Sequence, residues 1–321
     1  MRRAGTRPGI PVICLGNLTM GGAGKTPAAL AVARLLIARG ERPFFLTRGY
    51  GGRHHGPVMV EPDRHSTTDV GDEPVLLARL APTIVARARP AGATLARERG
   101  ASAIVMDDGF QNPSLHKDLS ILVVDGQRGI GNGRVFPAGP LRAPLQAQLE
   151  RAHALIVVGE IGAAAAVATR ADALNIPVFT ARLEPDAQAI AALRSEDVLA
   201  FAGIADPPKF FAMLRSQGVR IRAARAFADH HRYSARETER LLAEADRHGC
   251  VLVTTEKDLV RIAREPHLEI LAHRVQAVPV ELVLDRPADF ERLVTAVLEH
   301  RTPQPKQHER SSLQAAEATG L

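Results

Sequence analysis

The sequence predicts an α/β fold in which a mostly parallel sheet is flanked by helices and followed by a second, smaller α/β domain. Its strand candidates are uninterrupted apolar runs, and helix-like stretches such as Glu73–Leu80 and Ala91–Arg99 lie between several of them. Uninterrupted apolar strands are typical of parallel sheets that are covered on both faces. The strands of this first series are Val12–Leu15, Pro43–Leu46, Thr83–Ala86, Ala103–Met106, Leu119–Val124, Ala154–Val158 and Pro177–Thr180.

A second series of alternating strand and helix candidates follows the polar, acidic segment Glu184–Asp197. We therefore predict a first domain over residues 1–190 and a second α/β domain over 191–301. Residues 302–321 are rich in Gln, Lys, Glu, Ser and Pro, which predicts a disordered tail. The strands of the second series are Val198–Gly203, Val219–Arg222, Val251–Thr255 and Val278–Leu284.

The composition is that of an ordinary globular protein with an excess of positive charge. The 321 residues are 45% hydrophobic and 24% charged, and the formal net charge of +6 is carried mostly by arginine. This charge favours anionic partners, namely a nucleotide, a phosphorylated substrate, an acidic membrane surface or nucleic acid, without choosing among them. A genome-wide bias towards Arg and Ala is an equally weighted explanation.

Cysteine usage and hydropathy predict a cytoplasmic location. No apolar run reaches the length that spans a bilayer, and no hydrophobic segment of the kind found in signal peptides follows the first residues. Cys14 and Cys250 lie in apolar strand-like runs and lack the spacing of a metal site. We expect both to be buried free thiols of a reducing compartment.

A glycine-rich stretch lies between the first strand and a helix-like run over Ala28–Arg39. Strand, glycine-rich turn and helix in this order are the context of a phosphate-binding loop, which makes the predicted sheet one of P-loop NTPase type. Lys25 would reach the β- and γ-phosphates of a nucleotide, and the Thr26 hydroxyl would bind Mg²⁺. The candidate nucleotide-binding residues are Thr19, Met20, Gly21, Gly22, Ala23, Gly24, Lys25 and Thr26.

One position of this loop departs from the usual spacing, because Thr19 stands where a glycine is expected. The alternative interpretation is a tight strand-to-helix turn with an incidental Gly-Lys-Thr. The flanking strand and helix favour the phosphate loop by about nine to one.

Two adjacent carboxylates, Asp107 and Asp108, follow the buried strand Ala103–Met106. In a phosphate-loop protein, an acid at the end of a neighbouring strand commonly contributes to Mg²⁺ binding. The alternative is an Asx-turn that closes the strand. The presence of Lys25 and Thr26 in the same chain favours the metal-binding interpretation.

Two further candidates come from an acid near a helix start and from a pair of histidines. Asp72 precedes a helix-like run in which Pro74 lies near the start, so it is equally a helix cap and a base aimed at an acceptor hydroxyl. His230 follows an acid, and it can be a general base, a metal ligand or a capped surface residue. Because adjacent side chains diverge, at most one of His230 and His231 would face a given site.

Glycine-rich loops that carry arginines are typical of segments that close over an anionic substrate. As plain loops with solvated arginines they need no such role. The residues of these loops that we consider for substrate contacts are Arg48, Tyr50, Asn132, Arg134 and Arg142.

Together these motifs resemble the tetraacyldisaccharide 4′-kinase family of lipid A biosynthesis over nearly the whole chain except the tail. The order and spacing of many motifs agree, whereas the phosphate loop alone would not discriminate. The matching motifs are Gly16–Thr19, Gly21–Pro27, Thr47–Gly52, Val70–Pro74, Asp107–Gln111, Gly131–Arg134, Pro137–Arg142, Phe201–Ala205, Asp229–His231 and Thr254–Asp258.

The resemblance implies ATP-dependent phosphorylation of the 4′-hydroxyl of a tetraacyl glucosamine disaccharide 1-phosphate, which forms lipid IVA at the cytoplasmic face of the inner membrane. It implies a two-domain protein with its site between the domains and ATP and Mg²⁺ as cofactors. By the same resemblance Asp72 acts as the base, His230 pairs with it, and Asp107 and Asp108 lie on the metal side. We further expect Lys25 to be catalytic, the anionic membrane surface to be a partner, no nucleic acid to bind, and the protein to be a monomer.

Three features depart from the family pattern. The family usually begins with a hydrophobic helical segment that has no counterpart in the first residues of this sequence. Ala143 stands where a glutamate near the metal is usual, and Asn112 stands where a histidine is usual. A degenerate relative of the kinase is therefore one alternative. Another is a nucleotide-switched ATPase of the partitioning type, against which Met20 argues because that class carries lysine there.

Overall fold

The computed structural model describes residues 5–299, which form two sheets with helices packed on them. The predicted tail and the first four residues lie outside the described part of the chain. The strands are β1 Val12–Asn17, β2 Pro43–Thr47, β3 Val58–Met59, β4 Thr83–Val85, β5 Ala103–Asp107, β6 Leu119–Asp125, β7 Ala154–Val158, β8 Val178–Pro185, β9 Asp197–Ala202, β10 Arg220–Ala226, β11 Val251–Thr255, β12 Val275–Val278 and β13 Val280–Leu284.

The helices alternate with these strands along most of the chain, and two short 3₁₀ turns lie at Gly162–Ala164 and Pro266–Leu268. No helix within residues 5–299 is long and apolar enough to cross a membrane. The helices are α1 Lys25–Ala38, α2 Thr67–Val70, α3 Asp72–Ala78, α4 Arg89–Glu98, α5 Leu145–Leu149, α6 Ala165–Asp172, α7 Ala187–Leu193, α8 Pro207–Ser216, α9 Ala235–His248, α10 Glu256–Ile262, α11 Glu269–Arg274 and α12 Pro287–Glu299.

The larger sheet has nine strands in the order β13-β8-β7-β6-β1-β5-β2-β4-β3. All of its pairings are parallel except those at the two edges, where β3 and β13 run antiparallel to their neighbours. Every residue of β1, β2, β5, β6 and β7 is buried. Burial on both faces explains why these strands are uninterrupted apolar runs, and it confirms the predicted α/β class.

The smaller sheet has four strands in the order β10-β9-β11-β12, all of them parallel. The apolar face of α8 covers one side, with Phe210, Phe211 and Leu214 buried. Helix α9 contributes Leu241 and Ala245 to the core on the other side. This part of the chain therefore has its own hydrophobic core.

The structure differs from the predicted second domain at its C-terminal end. The predicted strand Val278–Leu284 is two strands in different sheets, since β12 ends at Val278 and β13 pairs antiparallel with β8 of the larger sheet. Pro279 separates them, and its carbonyl accepts a hydrogen bond from the Asp186 amide at 2.9 Å. A single proline between two apolar runs left no sign in the hydropathy pattern that the chain changes sheets here.

The carboxyl ends of the parallel strands of the larger sheet meet at one edge, where ligands of such sheets bind. The loop after β1 lies at this edge. A Cβ placed on Gly22 of that loop would stand 3.2 Å from the Cβ of Ala205, which follows β9 of the smaller sheet. The two sheets therefore approach each other at the loop that the sequence assigns to a nucleotide.

Candidate active site

The loop between β1 and α1 is held from two sides. The Asn17 side chain donates to the Gly21 carbonyl at 2.8 Å, and the Met20 amide donates to the Pro140 carbonyl at 2.8 Å. Gly24 is the N-cap of α1 with a φ of 86°, a left-handed conformation that glycine adopts without strain. The amides at the start of α1 therefore lack helical partners and are available to an anion.

Helix α1 begins with the two side chains that the sequence assigns to phosphate and metal. Lys25 is its first residue, and Thr26 follows it. The Lys25 ammonium lies 3.4 Å from Oδ1 of Asp108, and the lysine side chain is only 11% exposed. The structure thus brings the end of β5 against the phosphate loop.

Asp107, the last residue of β5, is completely buried, and neither of its carboxylate oxygens has a hydrogen-bond partner within residues 5–299. Burial raises the pKa of Asp107 to about 7, and the negative charge of Glu73 adds to this effect. An unpaired carboxylate in such a place is costly unless a cation or donors compensate it. The position therefore fits a carboxylate that faces a divalent cation.

Asp108 differs from Asp107 in its backbone conformation and in having hydrogen-bond partners for its carboxylate. Its φ of 53° is left-handed, and its Oδ1 accepts a hydrogen bond from Nη1 of Arg142 at 3.0 Å. Burial alone would raise the pKa of Asp108, but the positive charges of Lys25 and Arg142 outweigh it and lower the pKa. Neither acid accepts a hydrogen bond from a backbone N–H in the described part of the chain, so the Asx-turn alternative has no support.

We predict that Asp107→Asn increases the free energy of unfolding of the nucleotide-free protein at pH 8 by about 1–3 kcal/mol. The folded-state pKa of about 7 exceeds the unfolded value of 3.8, so the wild type loses stability as the pH rises from about 4 through about 7. The amide carries no charge and escapes this loss. Urea unfolding at pH 5 and pH 8 measures the difference. Asp108→Asn is the matched control, and it should lower stability because the Asp108 charge is paired.

Asp72 is the first residue of α3, and Gly71 rather than Asp72 occupies the N-cap position. Oδ2 of Asp72 accepts hydrogen bonds from Nδ1 of His230 at 3.0 Å and from Nε of Arg261 at 2.7 Å. Nη2 of Arg261 donates to the same oxygen, while Oδ1 accepts only the Glu73 amide at 3.0 Å. Asp72 is therefore not the N-cap residue of α3, although its Oδ1 accepts an amide of the first helical turn.

The charge of Asp72 is stabilised at neutral pH. Burial by itself raises the pKa of this carboxyl, but the His230 hydrogen bond and the charges of Lys257 and Arg261 hold the pKa far below its usual range. Because an ionised carboxylate only accepts, the proton of the shared hydrogen bond is assigned to Nδ1 of His230. The pair is thus an ionised carboxylate that accepts a hydrogen bond from the imidazole ring.

The two histidines diverge, as the sequence predicts. His230 has a left-handed φ of 58°, and its ring centroid lies 5.5 Å from that of Tyr50. His231 instead stacks on Phe227 at 4.8 Å and lies 3.1 Å from a carboxylate oxygen of Glu237. Only His230 faces Asp72.

A cavity of about 330 Å³ opens beside Asp72 and His230. Hydroxyl, imidazole and charged groups line it together with apolar surface, so it offers both hydrogen bonds and apolar contacts to an acceptor. Further lining residues include Tyr50, Thr67, Thr68, Arg232, Glu265 and His267.

The candidate substrate residues lie around this edge of the sheet, and they differ in whether their side chains are hydrogen-bonded or exposed. Arg142 is fixed, because its Nε donates to the Thr19 carbonyl at 3.1 Å in addition to its bond to Asp108. Asn132 stabilises its own loop through the Ala138 carbonyl. Arg48, Tyr50 and Arg134 are exposed. Only Arg142 therefore touches the phosphate loop.

Sequence reasoning assigned no role to Arg261, Lys257 or Glu73, although Lys257 and Glu73 lie in motifs that match the family. The Lys257 ammonium lies 3.2 Å from the Glu73 carboxylate, which links α10 to α3 next to the Asp72 contact. A signal was present, since Lys257 follows β11 and Arg261 lies one helical turn further on the same helix. Inspecting the residues after every strand, in the second series as in the first, would have found this cluster.

A phosphate loop that opens α1, with a lysine and paired carboxylates at the end of the adjacent strand, defines a nucleotide-binding protein of the P-loop class. A family model described as tetraacyldisaccharide-1-P 4′-kinase matches residues 2–299. The chain belongs to this family. It is therefore a kinase, and the partitioning-type ATPase alternative is not supported.

Curated relatives and a solved structure agree with this membership. The tetraacyldisaccharide 4′-kinase of Nitrobacter winogradskyi is 53% identical over 285 residues, covering 89% of this chain and 85% of the relative. That of Rhodopseudomonas palustris strain BisB18 is 52% identical over 311 residues, covering 97% and 90%. The crystal structure of LpxK from Aquifex aeolicus in complex with ATP superposes with a TM-score of 0.70 at 27% identity, covering 92% of this chain and 90% of that one.

Proposed function

We propose that this protein transfers the γ-phosphate of ATP to the 4′-hydroxyl of a tetraacyl glucosamine disaccharide 1-phosphate, which yields lipid IVA. The observation that carries the proposal is the contact between Asp72 and His230 beside a cavity, where the two sheets meet. Membership of the kinase family supports the choice of donor and acceptor.

On the donor side, Lys25 stabilises charge on the transferred group, and residues 19–26 hold the phosphates through their backbone amides. Thr26, Asp107 and Asp108 are the residues that would hold Mg²⁺. The buried, unpartnered carboxylate of Asp107 fits this cation. When bound, Mg²⁺ supplies positive charge that neutralises the phosphate oxygens.

On the acceptor side, Asp72 accepts the proton of the sugar hydroxyl, and His230 keeps the carboxylate oriented. Oδ1 is the oxygen for this role, because it accepts only one hydrogen bond in the described structure whereas Oδ2 accepts three. Arg48, Tyr50, Asn132, Arg134 and Arg142 contact the lipid and its phosphate. Positioning and electrostatics account for most of such a reaction.

The test is transfer of labelled γ-phosphate to a lipid disaccharide 1-phosphate in detergent micelles. The proposal requires a labelled lipid product that does not form from an acceptor whose 4′-hydroxyl is blocked. Hydrolysis of ATP with no labelled lipid would contradict it. Gel filtration with and without ATP tests the proposed monomer, since a nucleotide-switched protein of the partitioning class would dimerise with ATP.

We propose further that the protein works peripherally at the cytoplasmic face of the inner membrane, because its acceptor keeps its acyl chains in the bilayer. Basic side chains near an anionic surface each contribute about 1 kcal/mol. The candidates are Arg7 and the exposed Arg48 and Arg53, together with Arg2 and Arg3, which lie outside the described residues.

The protein is accordingly expected to sediment with anionic vesicles at low salt and to be released as salt rises. Binding to neutral vesicles should be weak, and replacing Arg2, Arg3 and Arg7 by Gln should weaken binding to anionic ones. Equal binding to both kinds of vesicle would contradict the electrostatic explanation.

A further inference from the structure

The side chain of Arg261 connects the two sheets at the candidate base. It belongs to α10, which follows β11 of the smaller sheet, whereas Asp72 opens α3, which precedes β4 of the larger sheet. Nε of Arg261 lies 2.7 Å from Oδ2 of Asp72, and Nη2 donates to the same oxygen. Nη1 points the other way and donates to the Gly203 carbonyl at 2.6 Å and to Oδ1 of Asp258 at 2.9 Å.

Asp258 fixes the far side of this guanidinium. It is completely buried and accepts hydrogen bonds from the Tyr233 hydroxyl at 2.8 Å, the Thr255 hydroxyl at 2.7 Å and the Gly203 amide at 3.1 Å. A buried carboxylate with this many donors has little freedom to move. Arg261, itself only 6% exposed, is therefore held in one orientation before it reaches Asp72.

Both partners of Asp72 depend on the same loop after β9. The Gly203 carbonyl accepts Nη1 of Arg261 and also the His230 amide, the latter at 3.1 Å. A displacement of this loop would consequently move Arg261 and His230 together.

We propose that Arg261 is a positioning residue of the reaction: together with His230 it occupies Oδ2 of Asp72 and leaves Oδ1 directed at the acceptor hydroxyl. The inference rests on the proposed function, in which Asp72 is the base. Arg261 does not touch the acceptor in this proposal and acts only through Asp72.

This position requires a side chain that donates hydrogen bonds in two directions at once, and the planar guanidinium group of arginine does so. Two of its nitrogens serve Asp72 while the third serves Gly203 and Asp258, and the three are in one plane. A lysine has one ammonium group, which preserves the positive charge but cannot reach both sides at once. Arg261→Lys therefore separates positioning from charge.

The experiment is a double-mutant cycle with Arg261→Lys and Asp72→Asn, using the lipid phosphorylation assay. We expect Arg261→Lys to lower kcat at least about tenfold, as small misplacements of catalytic groups do. The KM for ATP should stay within about twofold, because the phosphate loop is not touched. In the Asp72→Asn background the same substitution should change kcat by less than about twofold.

Arg264→Lys is the matched control, since Arg264 follows the same helix and pairs across to Asp63 at 3.2 Å on the surface. It should leave kcat unchanged. Circular dichroism and Tm identify any variant that has lost its fold. If Arg261→Lys does not fold, Tyr233→Phe replaces it, with an expected loss of about threefold from one weakened hydrogen bond.

An equal loss of kcat with and without Asp72 would overturn the inference and leave the proposed function intact. An unchanged kcat in Arg261→Lys would overturn it as well. An unchanged kcat in Asp72→Asn would instead contradict the base role in the proposed function and the inference with it. Loss of the Arg261 effect in the Asp72→Asn background supports the inference.

Discussion

Asp72→Asn is expected to lower kcat by about 10²–10⁴-fold, the usual contribution of a general base. The amide oxygen can still accept from Arg261 and His230, but the group on the acceptor side can no longer take a proton. The KM for ATP should change little, because Lys25 and the amides of the phosphate loop are unaffected. Steady-state kinetics at saturating acceptor measure both quantities.

Asp69→Asn is the control for loss of a nearby charge. Asp69 lies three residues earlier and accepts hydrogen bonds from the amide and hydroxyl of Ser66 at the start of α2. This variant should retain the kcat of the wild type. A similar loss in both variants would indicate that helix stability, rather than proton transfer, explains the effect.

Lys25→Ala is expected to reduce transfer by at least about 10²–10³-fold, the range for removal of one group that stabilises transition-state charge. The fold should survive, because the ion pair that the lysine ammonium forms is with Asp108, and Arg142 remains bound to that carboxylate. Transfer of labelled phosphate and circular dichroism are measured on the same preparation.

Wild-type turnover in Lys25→Ala with a normal spectrum would remove the phosphate loop from the mechanism. Arg39→Ala serves as a control for the loss of a cation from α1, since Arg39 follows the helix and pairs with Glu291 at the surface. That variant should transfer phosphate at the wild-type rate.

Two of the three departures from the family pattern, Asn112 and Ala143, take part in local hydrogen bonds. The side chain of Asn112 accepts hydrogen bonds from the amide and hydroxyl of Ser114, and the Ala143 carbonyl accepts from the Gln148 side chain at 2.8 Å. Within residues 5–299 no group of three or more His, Cys, Asp or Glu side chains is placed to hold a metal ion.

The parts of the candidate site that are formed by residues adjacent in the sequence could be predicted from the sequence. The strand, glycine turn and helix around Lys25 are contiguous, and Asp107 and Asp108 stand at the end of a buried strand. Contacts between residues far apart in the sequence could not be predicted, because neither partner marks the other in the sequence. Arg261 and Asp72 are 189 positions apart, and the pairing of Asp72 with His230 was expected only from resemblance to a family.

The chain leaves the larger sheet after β8 and returns to it as β13, after Pro279. The four strands of the smaller sheet therefore lie between these two neighbouring strands in the sequence. Strand β13 and helix α12 complete the larger core, where Phe290 is buried and its ring centroid lies 5.3 Å from that of Phe179. Both are synthesised after β9–β12. On the ribosome the smaller sheet can therefore assemble before the larger sheet is complete, while β8 has its neighbour β7 but still lacks β13. Until β13 emerges, β8 presents an open edge that is available for pairing with another chain.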